Sequence, residues 1–197
     1  IAVLSDHGES LSEHGEFTHG IFLYDSTLRI PFLLAGPGIP AGLRVKPQVR
    51  NIDLLPTVLE LMGSAVPQGV QGASLAPTFT GKEAPAADSY VETLFPRINM
   101  NWAELRGIRT NRWKYIRSPK PELYDLSQDP AETRNVIGNH AAEVQHHVAL
   151  MGPRAMLEQI DALPGAERRH AVEHGNADRG LRQRRLDVGG HVVRPLG

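Results

Sequence analysis

Asp6-His7, His14 and His19 crowd the start of this 197-residue chain, and each histidine is followed by a glycine. An aspartate supplies a hard anionic oxygen and a neutral imidazole supplies a nitrogen lone pair. Side by side, Asp6 and His7 suit one divalent cation, of which Ca²⁺, Mg²⁺, Mn²⁺ and Zn²⁺ accept such donors. Two ligands do not complete any of these sites. A histidine can also carry a proton near neutral pH and donate it to an anion, which is the chemistry open to His19 and His14. Glycine after each imidazole lets the backbone turn sharply, so that one loop can fold its side chains over one spot.

These residues need elements to hold them. Ile1-Ala2-Val3-Leu4 reads as the end of a strand buried on both faces, and Ser5-Asp6-His7-Gly8 is turn chemistry. Ile30 to Ala35 reads as a second buried strand, closed by Gly36-Pro37-Gly38. Ligands of open α/β sheets gather outside the carboxyl ends of strands, so the position of Asp6-His7 suits a site. The long, mostly polar stretch between the strands is of the kind that carries function. Residues 51–63 have the marks of a helix, with Asp53 as its cap, Pro56 in an early turn and Gly63 as its stop. Ser89 to Thr93 reads as a strand. Leu105 to Thr110 and Trp113 to Arg117 alternate as a hairpin about Asn111-Arg112, Glu122 to Leu126 adds a third strand, and residues 139–160 read as helical with a break at Gly152-Pro153. Trp113, Tyr115 and Tyr124 are expected to hold that small sheet together.

The fold class expected is therefore α/β. Its main part is residues 1–103, followed by a small antiparallel α+β subdomain over 104–160. Residues 161–197 have no clean period and an excess of basic side chains, which reads as a disordered or non-native tail. A net charge of −1 and a pI near 6.8 give no reason to expect nucleic acid or an anionic membrane as partner. The absence of cysteine excludes disulfides, thiolate ligands and a cysteine nucleophile within these residues. Composition leaves the oligomeric state open.

Ser5-Asp6-His7-Gly8-Glu9, Thr18-His19-Gly20, Tyr24-Asp25-Ser26-Thr27-Leu28-Arg29-Ile30-Pro31 and Gly36-Pro37-Gly38 together resemble the later part of the sulfatase domain of the alkaline-phosphatase superfamily. Asn51 to Thr57, Gly72-Ala73-Ser74-Leu75, Arg109 to Ile116, Glu122 to Leu126 and Asp129 to Glu132 extend the resemblance to about residue 140. It implies the C-terminal part of an alkaline-phosphatase-like mixed sheet flanked by helices, with a small antiparallel subdomain. It also implies that Asp6 and His7 hold one divalent cation, Ca²⁺ above the alternatives. His19 falls where many sulfatases carry a lysine that contacts the sulfate, so it is the candidate catalytic residue. His14 and Arg97 are candidates for substrate binding, with surface solvation and packing as the competing reading. Arg29 is expected to form a structural ion pair with Asp25 or Glu9. His140, His146 and His147 lie on a predicted helix at spacings poorly suited to one metal.

The family's nucleophile, a formylglycine made within C-x-P-S-R or S-x-P-x-R, has no match in this sequence, and neither does its first acidic metal pair. Both are expected upstream of Ile1. The resemblance thus implies part of a sulfuric ester hydrolase acting on a small-molecule or sugar sulfate ester, inactive as these residues alone. A periplasmic or secreted location is expected from the family, with a cytoplasmic one also compatible. Two rival readings are a phosphate or phosphonate ester hydrolase or phosphoethanolamine-type transferase of the same superfamily, and a non-catalytic binding module on the same scaffold.

Overall fold

The computed structural model describes residues 1–84 and 87–151. The basic tail and the stretch of expected helix beyond Met151 lie outside the described residues. Strand β1 (Ala2–Leu4) pairs antiparallel with β2 (Phe32–Leu34), Val3 facing Leu33. The expectation that these strands are buried on both faces is not met. Val3 is 52% exposed and Leu33 59%. Among the described residues β1 has a hydrogen-bonded neighbour along one edge only, and its three side chains run from exposed at Ala2 and Val3 to partly buried at Leu4.

The loop from Ser5 ends in a single helical turn, α1 (Asp25–Leu28). A 3-10 turn at Asn51–Asp53 leads into α2 (Leu54–Leu61), which stops where Gly63 takes a φ of +67°. Asp53 does not cap α2 as the sequence suggests. It is itself helical, and its buried carboxylate accepts hydrogen bonds from the Arg50 amide (2.8 Å), the Arg50 guanidinium (2.9 Å) and the Ala73 amide (2.9 Å). That bond pulls the Gly72-Ala73 segment against the helix start. A Cβ on Gly72 would lie 2.0 Å from the Ile52 carbonyl oxygen, so glycine is required there.

The second sheet has four antiparallel strands in sequence order: β3 (Ser89–Thr93), β4 (Leu105–Arg109), β5 (Trp113–Arg117) and β6 (Glu122–Asp125). It takes in β3, a strand from the near side of the division expected at residue 103. The hairpin turn is the one the alternation predicts. Thr110 and Trp113 close it, the Thr110 amide donating to the Trp113 carbonyl (2.8 Å) and the Trp113 amide to the Thr110 hydroxyl (2.9 Å). Successive residues of a strand point to opposite faces, so β5 and β6 split their large side chains between two clusters. Ile116 and Tyr124 pack with Leu23, Tyr24 and Leu28 on one face. Trp113, Tyr115 and Leu123 pack on the other, with Val136, Ile137 and Val144 of the closing helix α4 (Ala141–Leu150). Each such buried side chain is worth about 1.5–3 kcal/mol of transfer free energy. The end of the histidine loop is thus one of the layers that cover this sheet. No helix among the described residues is long and apolar enough to cross a membrane.

Candidate functional site

The turn after β1 is built from its own polar groups. The Ser5 hydroxyl donates to the His7 carbonyl (2.6 Å), and the His7 amide donates to Asp6 Oδ1 (3.0 Å). The Gly8 amide donates to the Thr27 carbonyl of α1 (2.7 Å), at an approach so close that a Cβ on Gly8 would meet the Ser26 carbonyl oxygen at 2.4 Å. Glycine at this position therefore lets the turn press onto α1. His7 Nδ1 lies 2.7 Å from the Gly8 carbonyl oxygen, and a carbonyl only accepts. Nδ1 must carry a proton, so in the neutral ring it is Nε2 that has the lone pair. Nε2 lies 3.7 Å from Asp6 Oδ1. Two donors at about 2.0–2.6 Å from one cation are separated by that distance when they occupy neighbouring positions around it. Asp6 and His7 thus fit part of a divalent-cation site. Among the described residues no group of three or more His, Asp or Glu side chains gathers to complete one.

His19 joins this pair. Its ring stacks on that of His7 with centroids 3.8 Å apart, and its Nδ1 lies 3.2 Å from both carboxylate oxygens of Glu9. His14 goes elsewhere. It stacks on Tyr24 at 3.6 Å and donates from Nε2 to the Ala131 carbonyl (3.1 Å), which docks the loop on the following subdomain. Arg97 sits on α3 (Phe95–Met100) and pairs with Glu104 at 2.8 Å. The start of that helix is tied to the loop, since the buried Thr93 hydroxyl donates to the Gly20 carbonyl (2.8 Å).

A group of buried charges holds the loop's far end. Lys114 is completely buried and reaches Asp25 (2.9 Å) and Glu132 (2.7 Å). Arg109 adds a fork of hydrogen bonds to the Asp25 carboxylate, and Glu132 accepts the Asp25 amide. Burial pushes the Asp25 carboxyl up, but the Arg109 hydrogen bond and the Lys114 and Arg109 charges outweigh it and hold the group at about 2. For Glu132 burial wins over Lys114 and its carboxyl is raised. Glu132 also takes a φ of +55°, a left-handed conformation that its buried bonds must sustain. Glu16, nearly buried, accepts the Ile21 amide (2.8 Å) and so fixes the chain just after His19.

The arginine partner expected for Asp25 or Glu9 is not Arg29: Asp25 takes Arg109 and Lys114, and Glu9 takes His19. His146 and His147 lie on α4 without a metal cluster, and His147 is buried with its Nδ1 on the Glu143 carbonyl (2.7 Å). Glu16, Lys114 and Glu132 escaped the sequence reading, and so did the pairing of Glu9 with His19. Lys114 left a signal: in Trp-Lys-Tyr-Ile both faces of the strand carry large apolar residues, so its ammonium faces a packed side and needs buried acids. Glu9 and Glu132 left none, because loop carboxylates are ordinarily solvated.

Comparison with known proteins bears on these residues as a set. Residues 12–152 match the family described as N-sulphoglucosamine sulphohydrolase, C-terminal. Human arylsulfatase K is 39% identical over 143 residues, which cover 67% of this chain and 26% of that protein. The Delta 4,5-hexuronate-2-O-sulfatase of Bacteroides thetaiotaomicron is 31% identical over 165 residues, 80% of this chain and 34% of that one. The solved structure of a 2-O GAG sulfatase superposes with a TM-score of 0.68 at 30% identity, over 81% of this chain and 36% of that one. The chain spans about a quarter to a third of the length of these relatives. With Asp6, His7 and His19 brought together at the end of β1, and the small sheet behind them, this chain belongs to the sulfatases, as the C-terminal portion of the sulfatase fold.

Proposed function

We propose that this chain is the C-terminal part of a metal-dependent sulfatase that hydrolyses sulfate esters of sugars. The observation that carries the reading is the placement of His7 Nε2 3.7 Å from Asp6 Oδ1, beside His19. Asp6 and His7 would hold Ca²⁺ as part of its ligand shell, and the remaining ligands and a formylglycine nucleophile would come from outside these 197 residues. When bound, the cation lowers the nucleophile's pKa and offsets charge developing on the sulfuryl oxygens. The chain's own residues do the rest of what is assigned here. The Gly8 carbonyl keeps His7 in the tautomer that presents Nε2, as an outer partner of a metal ligand does. His19, with a proton on Nε2, donates to the sulfate group and stabilises its negative charge. Glu16 and the Thr93 hydroxyl hold the two polar groups of the Gly20–Ile21 peptide just after His19, so the Nε2 edge stays aimed. The sugar is supported by the relatives' names, since they act on a hexuronate sulfate and on GAG sulfate.

The test is hydrolysis of 4-nitrophenyl sulfate, 4-nitrophenyl phosphate and a sulfated disaccharide. The 197-residue chain alone is expected to hydrolyse none measurably. A polypeptide that adds the nucleophile segment should release sulfate from the disaccharide, and His19→Ala should lower kcat by about 10²–10³-fold. A preference for the phosphate ester, or sulfate release by the chain alone that vanishes in Asp6→Ala, would overturn the assignment.

A further inference from the structure

His7 and His19 share one stacked pair but are oriented by different means. The His7 ring is fixed by a backbone carbonyl, the oxygen of the next residue, Gly8. Among the described residues no backbone carbonyl is hydrogen-bonded to the His19 Nδ1. What reaches its Nδ1 instead is the side chain of Glu9, with both oxygens at 3.2 Å, ten residues earlier in the loop. Glu9 is half exposed, and no other side chain competes for its carboxylate among the described ion pairs. We propose that Glu9 is the positioning residue of His19: its carboxylate accepts the Nδ1 proton, fixes the ring against His7 and leaves Nε2 as the nitrogen turned to the anion.

The reasoning is geometric. An imidazole on a loop can rotate about two side-chain torsions and exchange its proton between two nitrogens, and free histidine prefers the proton on Nε2. Stacking on His7 restrains the ring plane but does not distinguish the two nitrogens. A carboxylate astride Nδ1 does, because it accepts only and therefore selects the Nδ1–H form. Both members of the stacked pair then carry a proton on Nδ1: His7 turns the lone pair of Nε2 to a cation, whereas His19 meets an anion through Nε2 by taking a second proton there and donating it. Glu9 follows Gly8, whose close approach to α1 fixes where the chain emerges, so the carboxylate is delivered by the same turn that delivers Asp6 and His7. The inference rests on the reading of His19 as the sulfate contact for its purpose, though not for its geometry.

Long-range ¹H–¹⁵N spectra of the ¹⁵N-labelled 197-residue chain, at alkaline pH where imidazole is neutral, read the tautomer directly. The wild-type chain and Glu9→Gln, whose amide oxygen still accepts, should show His19 as the Nδ1–H form. Glu9→Ala should exchange the pyrrole-type and pyridine-type ¹⁵N shifts of the two ring nitrogens, with the amide signals of β3 to β6 unmoved as the control for folding. His19 found as Nε2–H in the wild-type chain overturns the proposal without any variant, and so does a tautomer unchanged in a folded Glu9→Ala. Adding inorganic sulfate separates the two readings: a tautomer that follows Glu9 in a ring that ignores sulfate upholds the positioning role and counts against the sulfate contact.

Discussion

The two sheets of this chain are stabilised by different means. The β3 to β6 sheet buries Ile108, Trp113, Tyr115, Ile116, Leu123 and Tyr124, and is covered on both faces. The region around β1 and β2 leaves Val3 and Leu33 half exposed, and buries polar side chains instead, among them Ser10, Glu16 and Thr27. One region is held by apolar area, the other by hydrogen bonds within a loop. Where they meet, the ordered region supports the polar one: Lys114 and Glu132 hold Asp25, Ala131 receives His14, and Thr93 holds Gly20. The lesson is that the geometry of the candidate site depends on a sheet that contributes no metal ligand to it.

The largest break should come at the junction. Lys114→Met leaves the buried Glu132 carboxylate without its cation and Asp25 with Arg109 alone, and should cost about 3–5 kcal/mol in urea unfolding, with the amides of residues 5–28 shifting along with the sheet. A shift confined to the sheet would show that the loop orders itself. Next, Leu123→Ala, at a side chain with no exposed surface, should cost about 3 kcal/mol, while the same truncation at Leu33 should stay within about 0.5 kcal/mol in this chain. Equal costs would mean that both sheets are apolar cores after all. The smallest effect is acid sensitivity. Asp25 has its folded pKa depressed to about 2, below the ordinary 3.8, so its contribution is complete above the ordinary value and is lost as pH falls toward 2. That contribution is about 2 kcal/mol, and Asp25→Asn should flatten the stability profile across that window. Glu132 works in the opposite sense: its raised pKa makes it a group whose ionisation costs stability as pH rises above the ordinary 4.5.

Alternation and turn chemistry made the small sheet legible. Ser89 to Thr93, the Asn111-Arg112 hairpin and the strand at Glu122 all form where period-2 patterning places them, because local propensity and burial agree there. The strand of Ile1 to Leu4 also forms, but its burial does not, since coverage depends on which other elements are packed against it. The same division runs through the site. Asp6, His7 and His19 were readable as candidate donors because their residue types carry the chemistry wherever they lie. Which ring nitrogen each histidine presents was not readable, and neither was the diversion of His14 to Tyr24 or the replacement of Arg29 by Arg109 at Asp25.

The sequence by itself determined the strands, the turns, the glycines that allow close approach and the candidate donors, because these follow from backbone sterics and side-chain chemistry within a few residues. The tertiary structure alone decided that Glu9 meets His19, that Lys114 lies between Asp25 and Glu132, and that the loop leans on the sheet. Those contacts join residues up to 117 positions apart, and their energies depend on desolvation and on distances that no local pattern encodes.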